Sequence, residues 1–476
     1  MGGINRAIQA WRTASKDRKF WVALSLIAVF GFVWGRQNLL DSPRPWFDEG
    51  IYLQVAKNVA QEGLWALRVS PHQTVGLEYI TVGFPVILPV AFSIRIFGAS
   101  LLAARSVMLA WIVLGILLAG YLGYRMYGRK AGLASASFLA SFGPWYANGK
   151  NVMGEVPGLV LMMASLIFLT RIEKGERHWW DFFWLTTFAC LAAVSKPSFL
   201  VLGPAMVLAI AVLLWRGFRP TWSIAAAIIV PIVSVFAVWM WTQFGGFPGS
   251  EVLHHYLNPY GLDEVGAVMR DNFFGMLSHV TPLHLLLMLG LIVCAIYIRG
   301  RKRIKAIEYV LMTVILMTLL SYLRTAGWYR YFFVAQISCF LLLPLVPMVF
   351  SGKLHHAKQA WLMPVFVIFF IAMNLVALIR DPAPMYGQGW RKIEDWLKSD
   401  KASGSIMFVN VPEAVYFFRG KEYSQFLRIT DKLSLGDLRG GTDMIVAPNP
   451  LPDKLILPYD YHQSEQLGSY AIWRKD

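Results

Sequence analysis

Apolar runs of about 20 residues alternate with short polar stretches from Phe20 to Ala377, and each is long enough to cross a bilayer as a helix. The pattern predicts spans at 20–40, 102–124, 131–147, 156–170, 179–195, 198–215, 221–243, 281–298, 306–323, 331–350 and 360–379. One further run, "VGFPVILPVAFSIRIFG" at 82–98, holds two prolines and Arg95 and is at the short limit for crossing. Its placement follows from the basic clusters Arg125/Arg129/Lys130, Arg171/Lys174/Arg177, Arg216/Arg219, "RGRKRIK" at 299–305 and Lys353/Lys358. All of them fall inside only if 82–98 lies along the outer face as an interfacial helix. The expected fold is therefore a polytopic α-helical membrane protein with about eleven spans, the N-terminus cytoplasmic and residues 41–101 forming a first outer loop.

Beyond residue 380 the pattern changes. "GWRKIEDWLKS" reads as an amphipathic helix, and "SIMFVNV", "DMIVAP" and "SYAIW" read as strands. This divides the chain into a membrane domain, 1–380, and a small outer α/β domain, 381–476.

Composition agrees with a membrane protein. Of 476 residues, 57% are hydrophobic and 15% charged, against roughly a quarter charged in soluble domains. The net charge of +16 is spread over inter-span clusters rather than gathered on a nucleic-acid face. Cys190, Cys294 and Cys339 lie inside apolar runs, with no CxxC pattern. The basic flank before Phe20 resembles a signal peptide, but the run is long and lacks an A-x-A-like cleavage site, so it reads as a retained first span.

This topology gathers the unusual polar residues onto the outer face. Asp48 and Glu49 in "RPWFDEGIYLQ" open an amphipathic helix, where acids either complement the helix dipole or act as a base or metal ligand. Glu155 in "NVMGEVPGLV" heads a span, as a second helix-end charge or a partner of Asp48 around a divalent cation. Lys196 in "VSKPSF" either snorkels or neutralises an anionic headgroup. Arg324, Arg330 and Tyr331 in "LRTAGWYRYFF" are interfacial anchors or phosphate ligands. His254 and His255 read as surface structure, with a metal role the weaker alternative. "HWWDFF" at 178–183 echoes an oligosaccharyltransferase signature but opens a span at the cytoplasmic face, as an aromatic belt does.

Taken in order, these elements resemble the GT-C membrane glycosyltransferases, in the branch of the protein O-mannosyltransferases and lipid A aminoarabinose transferases. The matching stretches include "FDEGIYLQVAKNVAQEG", "FPVILPVAFSIRIFGASLLAARSV", "GPWYANGKNVMGEVPGLVL", "AAVSKPSFLVLGPA" and "WYRYFFVAQIS", over residues 20–350. The segment "EYITVGFP" departs from the family's two-proline pattern, so no role transfers to His72 or Glu78. The resemblance implies that Asp48, beside Glu49, is the catalytic acid, and that Glu155 is the second-loop acid. Lys196, Arg330, Tyr331 and Arg324 would bind the donor phosphate. It implies transfer of one sugar from a polyprenyl-phosphate donor to a glycolipid, glycan or protein at the outer face of the cytoplasmic membrane; with no separate nucleophile for a double displacement, direct attack at the anomeric carbon would invert its configuration. A divalent cation (Mg, Mn or Zn) on Asp48 and Glu155, with His254 or His255, stays open as a cofactor. A lipid-linked sugar flippase would instead place ionisable groups near mid-bilayer, and a non-catalytic scaffold would tolerate loss of Asp48.

Overall fold

A computed structural model describes residues 2–78, 80–246, 249, 265–300, 304–351, 356–420, 422–427, 433–434, 442–451, 455–456 and 460–476. The first ten helices are α1 (Gly2–Arg36), α2 (Phe47–Glu62), α3 (Phe84–Phe97), α4 (Leu101–Tyr127), α5 (Arg129–Ala140), α6 (Gly143–Gly149), α7 (Glu155–Glu173), α8 (Trp179–Ser195), α9 (Leu202–Trp215) and α10 (Trp222–Phe244). Among the described residues, eight helical stretches are long and apolar enough to span a membrane. The other expected crossings at 131–147, 179–195 and 306–323 are filled by shorter helices: α5 with α6, α8, and Ala306–Tyr322.

Helix α3 has 14 residues, about 21 Å of helix, against a hydrocarbon core of about 30 Å. One face is buried through Val86, Ile87, Val90 and Ile94, and the other exposes Leu88, Phe92 and Ile96. The exposed face is thus also apolar, as on a helix in contact with lipid.

The membrane helices share one core, in which α7 is buried almost throughout. A second core joins the first loop to the C-terminal region. It contains Tyr52, Leu53 and Val55 of α2, Val86 and Ile87 of α3, Met108 of α4, and Trp390, Phe408, Val446 and Ile472. The C-terminal region is built on a five-stranded sheet in the order Tyr423–Phe426, Ile406–Val409, Met444–Pro448, Tyr470–Lys475, Tyr461–Leu467. The first three strands pair in parallel, and Tyr470–Lys475 runs antiparallel to both of its neighbours.

Polar contacts fix this sheet unit to the first loop. Arg391 donates to both Asp41 oxygens at 2.9 Å, and the Trp390 indole donates to one at 3.0 Å. Burial alone would raise the Asp41 carboxyl, but the hydrogen bonds from Arg391 and Trp390 outweigh it and hold its pKa below the usual range. Gln54 donates to the Pro412 carbonyl at 2.7 Å and accepts from Gln425 at 2.7 Å.

The short helix Pro412–Phe417 packs on α2, at a distance only glycine allows. A Cβ on Gly50 would overlap the backbone of Pro412 and Glu413. Gly50→Ala is therefore expected to separate the sheet unit from α2 at a cost of about 1–3 kcal/mol. The check is a lower thermal unfolding midpoint together with faster proteolysis after residue 380.

Glu413 is buried at this junction and accepts a 3.1 Å hydrogen bond from Tyr470. Burial pushes its pKa up to about 7, against the opposing pull of the Tyr470 hydrogen bond and of Arg44. The folded state then holds a proton that the unfolded chain has lost between pH 4.5 and 7, so stability should fall as pH rises through this window. The loss should reach on the order of 3 kcal/mol. Thermal melts from pH 4.5 to 8 should show this slope in the native sequence, and Glu413→Gln should flatten it.

Candidate active site

The site begins where the chain leaves α1. Residues 39–43 turn back under α2, and Arg105, in the second turn of α4, holds that turn. Its Nη1 donates to the carbonyls of Leu39 (2.7 Å), Leu40 (3.1 Å) and Pro43 (2.8 Å). Nε and Nη2 take Glu49 bidentately at 2.9 and 2.5 Å, and Nη2 also reaches Asn151 Oδ1 at 2.8 Å. Glu49 Oε1 in turn accepts from the Val152 backbone at 3.1 Å. Arg105 and Glu49 are both fully buried. A buried pair is favourable only when its remaining hydrogen-bond groups are also satisfied, and here backbone groups of two loops do that.

The two adjacent acids at the start of α2 therefore part company. Successive side chains on a helix point about 100° apart, so Glu49 turns inward to Arg105 while Asp48 stays half-buried on another face. Glu49, grouped with Asp48 as catalytic on sequence, has both carboxylate oxygens engaged by Arg105 and Val152.

Tyr52 lies one turn beyond Asp48 and on its side of α2. Its hydroxyl is 3.0 Å from Thr81 Oγ1. Burial, and after it the charge of Asp48, pushes the Tyr52 pKa far up; Glu155 adds to the rise and Arg330 opposes it. One phenol thus feels Asp48, Glu155 and Arg330 together.

Glu155 opens α7 and is ion-paired through Oε1 with Lys196. Its Oε2 is buried and has no hydrogen-bond partner among the described residues. Lys196 has extended backbone (φ −160°, ψ 137°) between α8 and the 3₁₀ turn Pro197–Val201, as the following proline requires. Gly154 allows this approach, since a Cβ there would overlap the Ser195 carbonyl.

Arg330 sits in the 3₁₀ turn Tyr329–Phe332. Its guanidinium carbon lies 5.3 Å from the Trp46 ring centroid, 4.6 Å from that of Trp328 and 5.4 Å from that of Tyr331. The aromatic box holds the cation in place, yet its Nε is buried and has no hydrogen-bond partner among the described residues. Asp48 and Glu155 are both within its electrostatic reach.

The structure thus brings Asp48, Glu155, Lys196, Arg330 and Tyr331 together, from four separate parts of the chain. Arg324 is exposed and makes none of the contacts that join them. His254 and His255 lie outside the described residues. Those described supply no group of three His, Cys, Asp or Glu side chains fit to hold a metal, and one of the two available carboxylates is already neutralised by Lys196. Sequence reasoning missed Arg105. Its signal was a lone arginine within the apolar run 102–124, where a charge is costly unless paired.

A family model described as dolichyl-phosphate-mannose-protein mannosyltransferase matches residues 86–241, from α3 to α10. No curated protein sequence matches the chain. Among solved structures, ArnT from Cupriavidus metallidurans bound to undecaprenyl phosphate superposes with a TM-score of 0.64 at 12% identity, covering 95% of this chain and 97% of that one. The archaeal oligosaccharyltransferase AglB from Archaeoglobus fulgidus, in complex with an inhibitory peptide and a dolichol-phosphate, gives 0.60 at 10% identity, over 91% of this chain and 70% of that one. The A. fulgidus oligosaccharyltransferase complex with Zn and sulfate gives 0.60 at 13% identity, over 90% and 68%. The fold is that of the GT-C glycosyltransferases.

The different duties of the paired acids are separable by stability. Glu49→Gln leaves Arg105 buried and uncompensated, an expected loss of about 3–5 kcal/mol, whereas Asp48→Asn should shift the unfolding midpoint little. Thermal unfolding of the two purified variants checks this.

Proposed function

We propose that this protein is an inverting glycosyltransferase. It moves one sugar from a polyprenyl-phosphate donor to a glycolipid, glycan or protein hydroxyl at the outer face of the cytoplasmic membrane. On this reading the N-terminus is cytoplasmic, and residues 381–476 form the outer domain that closes over the first loop. The observation that carries the reading is the convergence of half-buried Asp48 with two fixed cations, Lys196 and Arg330, the latter holding an unused buried N–H. The polyprenyl-phosphate and dolichol-phosphate held by the structural neighbours support a ligand of that class here.

An acceptor hydroxyl is a weak nucleophile, and Asp48 takes its proton as the oxygen approaches the anomeric carbon. The bond from that carbon to the phosphate oxygen breaks as the new glycosidic bond forms on the opposite face, so the configuration inverts. Polyprenyl phosphate leaves with the bonding electron pair, and its growing negative charge falls on Arg330 and Lys196. Glu155 holds the Lys196 ammonium at the right depth. Trp46, Trp328 and Tyr331 hold the guanidinium over the same point, so little reorganisation is needed at the moment of transfer. Tyr52 stays protonated and can donate its hydroxyl proton into this cluster. Whether a divalent cation also takes part is read from turnover with and without chelator.

The test uses purified protein in lipid with a panel of radiolabelled polyprenyl-phosphate sugars. Asp48→Asn should lower the release of polyprenyl phosphate by about 10²–10⁴-fold while donor binding stays intact, and Arg330→Ala should weaken donor binding itself. Equal turnover in wild type and Asp48→Asn would remove Asp48 as the base.

A further inference from the structure

A concave surface lined by none of Asp48, Glu155, Lys196 and Arg330 lies where α1 passes α4. It is a groove of about 680 Å³. Its floor is a stripe of α4 at four-residue spacing, Leu102, Ser106, Ala110 and Leu114, all exposed, and Phe32 of α1 forms a wall. The small side chains at 106 and 110 create the hollow between two larger ones. An exposed apolar trough in a span faces lipid, and its shape suits an acyl chain rather than a protein side chain.

The mouth of the groove is polar and carries a surplus positive charge. Arg36, the last residue of α1, is exposed at its rim. No hydrogen bond or ion pair holds its guanidinium among the described residues. Arg391 also lines the mouth, but its charge is balanced by Asp41. One unbalanced guanidinium at the end of a span, above an apolar trough, is complementary to a phosphodiester headgroup above an acyl chain.

We propose that this groove is a binding site for an anionic phospholipid of the leaflet on the candidate active site's side, its acyl chain along Ser106 and Ala110 and its phosphate on Arg36. Neither Lys196 nor Arg330 lines it, and the proposal does not rest on the glycosyltransferase reading.

Native mass spectrometry of the full-length purified protein tests it, using phosphatidylglycerol and phosphatidylcholine of identical acyl chains as probes. One interfacial arginine should favour phosphatidylglycerol about fivefold. Arg36→Gln should bring the ratio towards one, Arg36→Lys should restore it, and Ala110→Trp or Ser106→Trp should lower occupancy by both lipids. Each variant is first required to match the wild type in unfolding midpoint and monodispersity; Arg36 is exposed, so its variants test the charge even if a floor variant fails this. A ratio unchanged in Arg36→Gln, or occupancy unchanged by a folded floor variant, would overturn the proposal. So would one-for-one displacement of phosphatidylglycerol by polyprenyl phosphate, which would make the groove part of the donor's own path.

Discussion

The candidate active site depends on the buried pair between Glu49 and Arg105. Neither segment that leads into a helix bearing an acid is regular: residues 39–43 are a turn, and 150–154 link α6 to α7. Arg105 ties the first through three carbonyls and the second through Asn151, while Glu49 adds the backbone of Val152. This pair ties the start of α2, and so Asp48, to the start of α7, and so Glu155, alongside the hydrophobic core that Val152 and Met153 share with α2. The cost of desolvating the pair is offset by organising two loops at once, which is where a buried ion pair contributes geometry more than stability.

Around that fixed point the charges are balanced but differ in freedom. Lys196 already holds one oxygen of Glu155, whereas Arg330 is held by aromatic faces and keeps an N–H unused. A site with its cations fixed in advance by groups other than the ligand can receive an anion with little rearrangement. The C-terminal sheet unit contributes from the opposite side of α2, where Gly50 lets Pro412–Glu413 come into backbone contact. It shares a hydrophobic core with α2 and α3, so it and the first loop are packed together.

Much of this was legible in the sequence. The apolar period marked the membrane helices, and the short, proline-bearing run at 82–98 is the stretch that forms the 14-residue α3. Asp48, Glu155, Lys196 and Arg330 stood out because each interrupts or bounds an apolar run with a charge. What local pattern could not separate was Asp48 from Glu49: adjacency in sequence suggests a shared role, but a helix sends the two side chains in different directions, and only the partner from α4 decides which turns inward. Arg105 was hidden for the converse reason, since one charge among so many apolar residues did not break the run. The docking of Pro412 and Gln425 on Gln54 of α2 rests on contacts more than 300 positions apart, which no local period encodes.

The most direct measurement is an experimental structure of this protein with bound polyprenyl phosphate, determined in lipid. The account predicts the phosphate within hydrogen-bond distance of Arg330 and Lys196, with Asp48 facing the open side of the phosphate where an acceptor would enter. A phosphate bound away from both cations, or Asp48 turned from it with Glu49 released from Arg105, would contradict it.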